Sequence, residues 1–227
     1  LGLSIRPFKE RSFRIRAFYK NTYRLPTFGD IYYSDVQNSN LNAENAHQYN
    51  IGVTVSRSQG ILFPYLAFSV DAYYNNIKNK IVIQPMTSQF KPSVKNHGEV
   101  DIKGVDLNVE FHINVSADIT AEISGSYTYQ DVEDKNGNER FILAYTPKHS
   151  GSGYFSLKTT WADFNYNIIR SGKRYFKQIE ETEYIVKAYS DHSISIVKGL
   201  TWNKCNIRLS AECLNIYNKQ YEVIQSY

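Results

Sequence analysis

Residues 117–130 read Ala-Asp-Ile-Thr-Ala-Glu-Ile-Ser-Gly-Ser-Tyr-Thr-Tyr-Gln. Ala117, Ile119, Ala121, Ile123, Gly125, Tyr127 and Tyr129 are small or apolar, and every residue between them is polar. Side chains alternate between the two faces of a strand, so this spacing predicts a long strand with one greasy and one wet face. The same alternation spreads outward from this stretch. Val105, Leu107, Val109, Phe111 and Ile113 alternate with Gly104, Asp106, Asn108, Glu110 and His112. Tyr49, Ile51, Val53 and Val55 alternate with Gln48, Asn50, Gly52, Thr54 and Ser56. Phe13 to Tyr19, Leu66 to Ala72 and Cys205 to Cys213 repeat it, and weaker versions run over 1–6, 151–160, 163–171 and 188–198. No stretch of ten or more residues carries a helical stripe. The expected fold is all-β: an antiparallel meander of about ten long strands, several well beyond the five to six residues usual in soluble sheets.

Connection lengths add a second signal. Short links are expected near 7–12, 57–64, 113–116, 160–163 and 199–203. Long ones are expected near 21–46, 76–98, 131–148 and 172–187, with another starting near 217. Tight turns at one end and long loops at the other are the pattern of an outer-membrane barrel. Trp161, Phe164, Trp202, Phe63 and Tyr65 fall near the short turns, and Tyr73, Tyr74, Tyr127, Tyr129 and Tyr217 near the long loops, as two interfacial girdles require. Alternation alone does not say which face points outward. The polar face carries Arg14, Arg16, Asp71, Asp118, Glu122, Arg208 and Glu212. The apolar face uses Ala and Gly as freely as Leu, which suits a lipid-facing wall better than a close-packed core.

Composition agrees. The 227 residues are 42% hydrophobic, 15% aromatic and 21% charged, with 19 Tyr, 12 Phe and one Met. Such a chain folds. A formal charge of +4 with scattered Lys and Arg argues against a nucleic-acid partner. There is no run of 18 apolar residues, which excludes a membrane-spanning helix and leaves a barrel open. Cys205 and Cys213 sit eight apart on one expected strand, about 26 Å, too far for a disulfide within it. The chain opens at Leu1 and closes at Tyr227 in an expected loop, so a fragment of a longer protein is expected.

Four segments resemble the TonB-dependent outer-membrane receptors. Tyr23-Arg24-Leu25-Pro26-Thr27-Phe28-Gly29-Asp30-Ile31-Tyr32 is similar to the family's Arg-x-Pro-Thr-Phe-x-Asp/Glu-Leu-Tyr loop segment, matched at Arg24, Pro26, Thr27, Phe28, Asp30 and Tyr32. Asn38, Leu41 and Glu44 match its Asn-x-x-Leu-x-Pro-Glu segment, with Ala43 in place of Pro. Ile102-Lys103-Gly104-Val105-Asp106 resembles its x-x-Gly-x-Glu strand, with Asp for Glu, and Leu214-Asn215-Ile216-Tyr217-Asn218-Lys219 resembles its x-Asn-Leu-Phe-Asn/Asp-Lys segment. The resemblance implies that residues 1–227 are a C-terminal portion of a large transmembrane β-barrel of a Gram-negative bacterium, with the plug domain and closing strand outside the chain. It implies import of a scarce nutrient (iron-siderophore, haem, cobalamin or glycan) energised by a TonB complex through the plug. Outer-membrane lipid and lipopolysaccharide are the expected surroundings.

No catalytic or metal-binding pattern is present: no G-x-S-x-G, H-E-x-x-H or phosphate-binding loop, and the five histidines are scattered. No enzyme activity and no cofactor are expected, and His112 reads as a lumen or turn residue. Asp131 to Glu139 is either a Ca²⁺ loop or a solvated Asn-Gly turn; its spacing does not match an EF-hand. Arg170, Lys173, Arg174 and Lys177 form a basic loop beside Tyr175 and Phe176, which either meets an anion such as lipopolysaccharide phosphate or is simply solvated. Phe28, Tyr32 and Tyr33 with Arg24 either line a ligand vestibule or pack the loop onto the wall. Two rival functions share the alternation: a passive porin, and a soluble carbohydrate-binding sheet that buries its apolar face.

Overall fold

The computed structural model describes residues 1–8, 12–32, 40–58, 60–84, 93–136, 142–176, 184–203 and 205–223. Its main element is one antiparallel sheet of ten strands joined edge to edge in chain order. These are β1 (Gly2–Ile5), β2 (Ser12–Arg24), β3 (Glu44–Arg57), β4 (Tyr65–Gln84), β5 (Ser93–Ser116), β6 (Ile119–Asp134), β7 (His149–Thr159), β8 (Asp163–Ser171), β11 (Tyr189–Trp202) and β12 (Cys205–Cys213). A short helix, α1 (Phe28–Tyr32), follows β2. A two-stranded ribbon, β9 (Arg174–Tyr175) with β10 (Ile185–Val186), sits between β8 and β11. Cys205 and Cys213 lie at the two ends of β12 and are free.

Register places the apolar residues on one face. Phe111 opposes Ile123 and Leu66; Ile123 opposes Phe155; Leu107 opposes Tyr127 and Val70. Among the described residues no element covers this face. Ile123 is 39% exposed and Leu209 54%. Among the described residues, Ala121 is the only buried hydrophobic side chain on this apolar stretch of the strands. A soluble binding sheet needs the face packed away from water, whereas Ile51, Phe155 and Ile194 on other strands of this face are exposed as well. The opposite face is polar and forms a hollow of about 720 Å³, lined by Arg16, Ser69, Asn108, Glu110, Ser124, Ser126, Ser152, Asn167 and Ser193 among others.

The apolar band drifts as it crosses the sheet. On β2 it runs from Phe13 up to Tyr19, and on β11 from Leu200 up to His192. Phe13 nevertheless lies in the same register row as His192, through Val55, Phe68, Val109, Gly125, Gly153 and Ile168. The top of the band thus slides six residues, Tyr19 to Phe13, over seven strand steps. That is about 20 Å along the strands against roughly 34 Å across them, a slope of about 30°, close to the tilt of strands in a closed barrel. A band at constant height crosses register in this way only if the strands lean.

Three strands run much further than their alternation first suggests. β4 reaches Gln84, β5 begins at Ser93 and β6 continues to Asp134, inside stretches expected to be loop. Above the band the polarity of the two faces is exchanged. Tyr74, Asn76, Asp101, Lys103, Glu133 and Lys135 continue the formerly apolar face, while Ile77, Val100, Ile102 and Val132 take the other. Val100 is fully buried and packs with Val82, Ile102, Val132 and Leu143 into a small core. Apolar alternation that changes faces looks like polar loop in sequence, which is why these strand ends were missed.

Candidate functional site

The polar face is crossed by charge. Arg16 on β2 reaches over β3 to Asp71 on β4, with Arg16 Nη2 2.9 Å from Asp71 Oδ2 and 3.1 Å from Oδ1. Gly52 lies between them in register, and a Cβ there would come within 2.0 Å of Asp71 Oδ1. Glycine is what lets the pair meet. Gly104, in the Ile102–Asp106 motif, plays a related part: the Tyr73 ring lies where its Cβ would be. Tyr73 is therefore on the polar face and not in the outer girdle. Asp106 accepts from the Thr128 hydroxyl at 2.7 Å. Lower on the same face, Lys158 pairs with Glu122. His112 contacts Glu110 at 3.0 Å and packs by Tyr65, so Tyr65 also leaves the girdle.

The apolar face carries the girdle. Tyr19, Tyr49 and Tyr74 form a ring row across β2, β3 and β4, with centroids 5.0 and 6.0 Å apart. Register also assembles three tyrosine–histidine pairs that sequence spacing hid: the Tyr19 hydroxyl lies 2.8 Å from His47 Nδ1, Tyr127 2.7 Å from His149 Nδ1, and Tyr166 2.5 Å from His192 Nδ1. Each of these histidines occupies the last outward position of its apolar stripe, which was the available signal. At the other end Trp161 stacks on Phe164, with Lys198 over the indole. Aromatic rings capping both ends of an apolar band match the two interfaces of a bilayer.

The two loop motifs converge on each other. Thr27 and Asp30 form a reciprocal cap on α1: Asp30 N–H donates to Thr27 Oγ1 at 3.2 Å, and Thr27 N–H donates to Asp30 Oδ2 at 2.9 Å. Arg24 spans Asp30 (2.9 Å) and Glu44 (3.2 Å). Glu44, buried to 6% exposure, also takes Lys80 at 3.0 Å and the Ile81 N–H at 2.7 Å. Burial of Asp30 works against its charged form, yet the Thr27 amide and hydroxyl and the Arg24 guanidinium outweigh it and hold the carboxyl below its ordinary value. Pro26 precedes the cap and Leu41 is half-buried beyond it. Phe28 and Tyr32 stack on each other, 82% and 61% exposed, and so do not pack the loop onto the wall. Asn38 and Tyr33 lie outside the described residues.

The basic loop separates into different roles. Arg174 is buried; its Nη2 donates to the Glu222 and Val223 carbonyls at 2.5 and 2.9 Å, and its guanidinium lies over Tyr189. Lys173 lies over Tyr175. Arg170 is exposed on β8, and Lys177 lies outside the described residues. The acidic stretch is already paired: Asp131 with Lys148, Glu133 with Lys103 and Lys135, Asp134 with His97 and Asn136. Residues 137–139 lie outside the described ones, and among the described residues no group of acids, His or Cys is arranged to hold a metal. The Leu214–Lys219 motif is a tight turn. Asn215 and Asn218 take left-handed φ of 47° and 49°, and the Asn215 amide bonds both the N–H and the carbonyl of Lys219.

Comparison with known proteins agrees with this geometry. The model of the TonB dependent receptor-like β-barrel matches residues 1–216. The chain belongs to that family. The Vitamin B12 transporter BtuB of Vibrio vulnificus (strain YJ016) is 23% identical over 226 residues, covering 100% of this chain and 33% of that protein. Among solved structures, the copper transporter OprC superposes with a TM-score of 0.70 at 13% identity, over 95% of this chain and 33% of that one. The ferric-catecholate import receptor Fiu from K12 E. coli gives 0.68 at 16% identity, over 98% and 31%. The chain thus spans about a third of the length of these relatives. It is a wall of a large transmembrane β-barrel in the outer membrane of a Gram-negative bacterium, with its apolar face outward and its polar face toward the lumen. The family's members are receptors and transporters, not enzymes.

Proposed function

We propose that this chain is a C-terminal portion of the barrel of an outer-membrane receptor that imports a scarce nutrient with energy from a TonB complex. The observation that carries this is the family match over residues 1–216 on a sheet with one polar, ion-paired face and one exposed apolar face. A hollow lined by Ser, Asn, Thr and paired charges suits a water-filled lumen holding a plug through which TonB acts. The nutrient belongs to the class of iron-siderophore, haem, cobalamin or glycan.

In this reading the Arg24–Glu44 region is the rim of the ligand vestibule. Arg24, Thr27, Asp30 and Glu44 act as scaffold, since each is already bonded within the loop. Phe28 and Tyr32 are the groups left to meet a ligand, because their stacked rings stand free of the wall. The test is growth of a strain deleted for the whole gene on each nutrient class as limiting source, with and without an intact TonB complex. Loss of growth on one class in both mutants supports the reading. Unimpaired growth on all four classes contradicts it. TonB-independent uptake favours a passive porin.

A further inference from the structure

We propose that the lumenal strip across β6, β7, β8 and β11 is the transit wall for the imported nutrient, and that this nutrient is a compound of no net charge faced with hydroxyls and amides. This rests on the import reading above and narrows its ligand class. The strip takes in Ser124, Ser126, Ser152, Asn165, Asn167 and Ser193, which register sets on neighbouring strands of the polar face. It stands behind the lipid-facing band, since Ile123, Phe155 and Ile194 point outward between its rows. From Thr128 down to Glu122 it runs about 20 Å along the strands.

Two features set it apart from the rest of the wall. One is the length of its side chains. The register row that starts as Arg16, Gly52, Asp71 and Asp106 continues as Thr128, Ser150 and Ser171. The charge that crosses β2 to β5 therefore gives way at β6 to short hydroxyls, and much of the strip lines the hollow of about 720 Å³. The other feature is how its polar groups are held. Ser126 Oγ lies 2.7 Å from Ser152 Oγ. The Ser156 and Tyr154 hydroxyls both donate to Asn165 Oδ1, at 2.7 and 2.9 Å, and the Asn165 amide donates to Ser195 Oγ at 3.1 Å. These cross-strand bonds lay the side chains along the wall. A serine hydroxyl has one donor and two acceptor sites, so a single such bond leaves Ser126 and Ser152, both exposed, able to bond a passing group. Closely spaced weak sites let a ligand enter and also leave, as conduction requires.

Charge narrows the ligand. Asp106 and Glu110 border the strip on β5, Glu122 on β6 and Asp191 on β11. Among the described residues of β6, β7, β8 and β11, Lys158 is the only cation facing the lumen, and it is paired with Glu122. A ferric tris-catecholate or the two carboxylates of haem would meet this acidic border with no cation on these strands to offset it. A neutral surface of hydroxyls and amides carries no such cost.

The test is TonB-dependent uptake by gene-deleted cells carrying the full-length receptor. The radiolabelled probes are cyanocobalamin, an uncharged oligosaccharide, haemin and a ferric tris-catecholate siderophore. Uptake of cyanocobalamin or of the oligosaccharide is expected to exceed that of haemin and the siderophore about tenfold or more. Ser126→Trp combined with Ser152→Trp should lower that uptake about tenfold or more, while binding at the cell surface, measured without the TonB complex, stays that of wild type. Ser56→Trp, on the same face of β3 but outside the hollow, should keep uptake within about twofold. Preferred uptake of haemin or the siderophore overturns the proposal. So does wild-type uptake by the double variant, or an equal loss in Ser56→Trp. Folding is checked by heat-modifiable electrophoretic mobility. If the double variant does not fold, Ser152→Cys in a Cys205→Ser, Cys213→Ser background is alkylated after folding with a polyethylene glycol maleimide; the same loss is expected, and unchanged uptake contradicts the proposal. Uptake of none of the four probes by wild type, or equal uptake without the TonB complex, would sink the import reading itself.

Discussion

β4, β5 and β6 each contain two regions built on the same alternation with opposite polarity. In the lower one Val70, Leu107 and Tyr127 face outward, and Asp71, Asp106 and Thr128 face the lumen. In the upper one Lys103 and Glu133 face outward, and Ile77, Val100 and Ile102 turn in, with Val100 fully buried. The backbone is continuous between them. What changes is the solvent: hydrocarbon outside the lower region, water outside the upper one, where packing under the loops supplies an apolar refuge. A strand's greasy side therefore reports where oil is, not where a core is.

Several substitutions break or sharpen this contrast in the whole receptor. The largest effect is expected at the middle of the lower region. Val109→Arg places a charge on the lipid side and should cost about 2–4 kcal/mol, read as a shift of the urea midpoint in lipid vesicles; an unshifted midpoint would mean Val109 does not meet lipid. Val100→Ala empties part of the small upper core and should cost about 1–2 kcal/mol. Val109→Ala should cost clearly less than Val100→Ala, because lipid chains close over the gap while the packed neighbours of Val100 cannot. Equal costs would remove the distinction between the regions.

Glu44→Gln leaves Arg24 and Lys80 short of their buried acceptor charge. Backbone hydrogen exchange over residues 24–32 should quicken about tenfold with the barrel unaffected. Acid should loosen the same loop. The Asp30 carboxyl is held below its ordinary value of 3.8, so its contribution is full above that pH and fades as the pH falls through the lowered value. Exchange over 24–32 should therefore rise only below about pH 4; a rise centred near pH 6 would point to a histidine instead. The smallest effect is expected at Lys103, whose exposed pair with Glu133 is screened by water. Lys103→Gln should leave the thermal midpoint within error.

Residues 105–130 were legible because their period of two is unbroken, and the loop asymmetry and aromatic ends then pointed to a barrel. The strand ends at 76–84 and 93–98 were not, because Ile77 and Val100 stand on the opposite parity from Val70 and Leu107, and a reader following one face sees polar sequence. Five residues cannot show a helical stripe, so α1 was hidden, although Thr27 and Asp30 carry its cap in plain view. The motif residues were found, but not their tie: Arg24 and Glu44 are twenty positions apart, and only the antiparallel pairing of β2 with β3 brings them together. The histidines looked scattered for the same reason. His47, His149 and His192 become a girdle only when neighbouring strands are set in register beside Tyr19, Tyr127 and Tyr166.

The most direct test is a labelling scan of the full receptor in lipid bilayers, in a background of Cys205→Ser and Cys213→Ser. Spin labels are placed one at a time through Leu107→Cys, Asn108→Cys, Glu122→Cys, Ile123→Cys, Arg208→Cys and Leu209→Cys. Oxygen, which concentrates in hydrocarbon, should relax the labels at 107, 123 and 209, and a water-soluble nickel chelate those at 108, 122 and 208. Labels at 107, 123 and 209 that are immobile and shielded from oxygen, with 122 and 208 on the outer surface, would contradict the account.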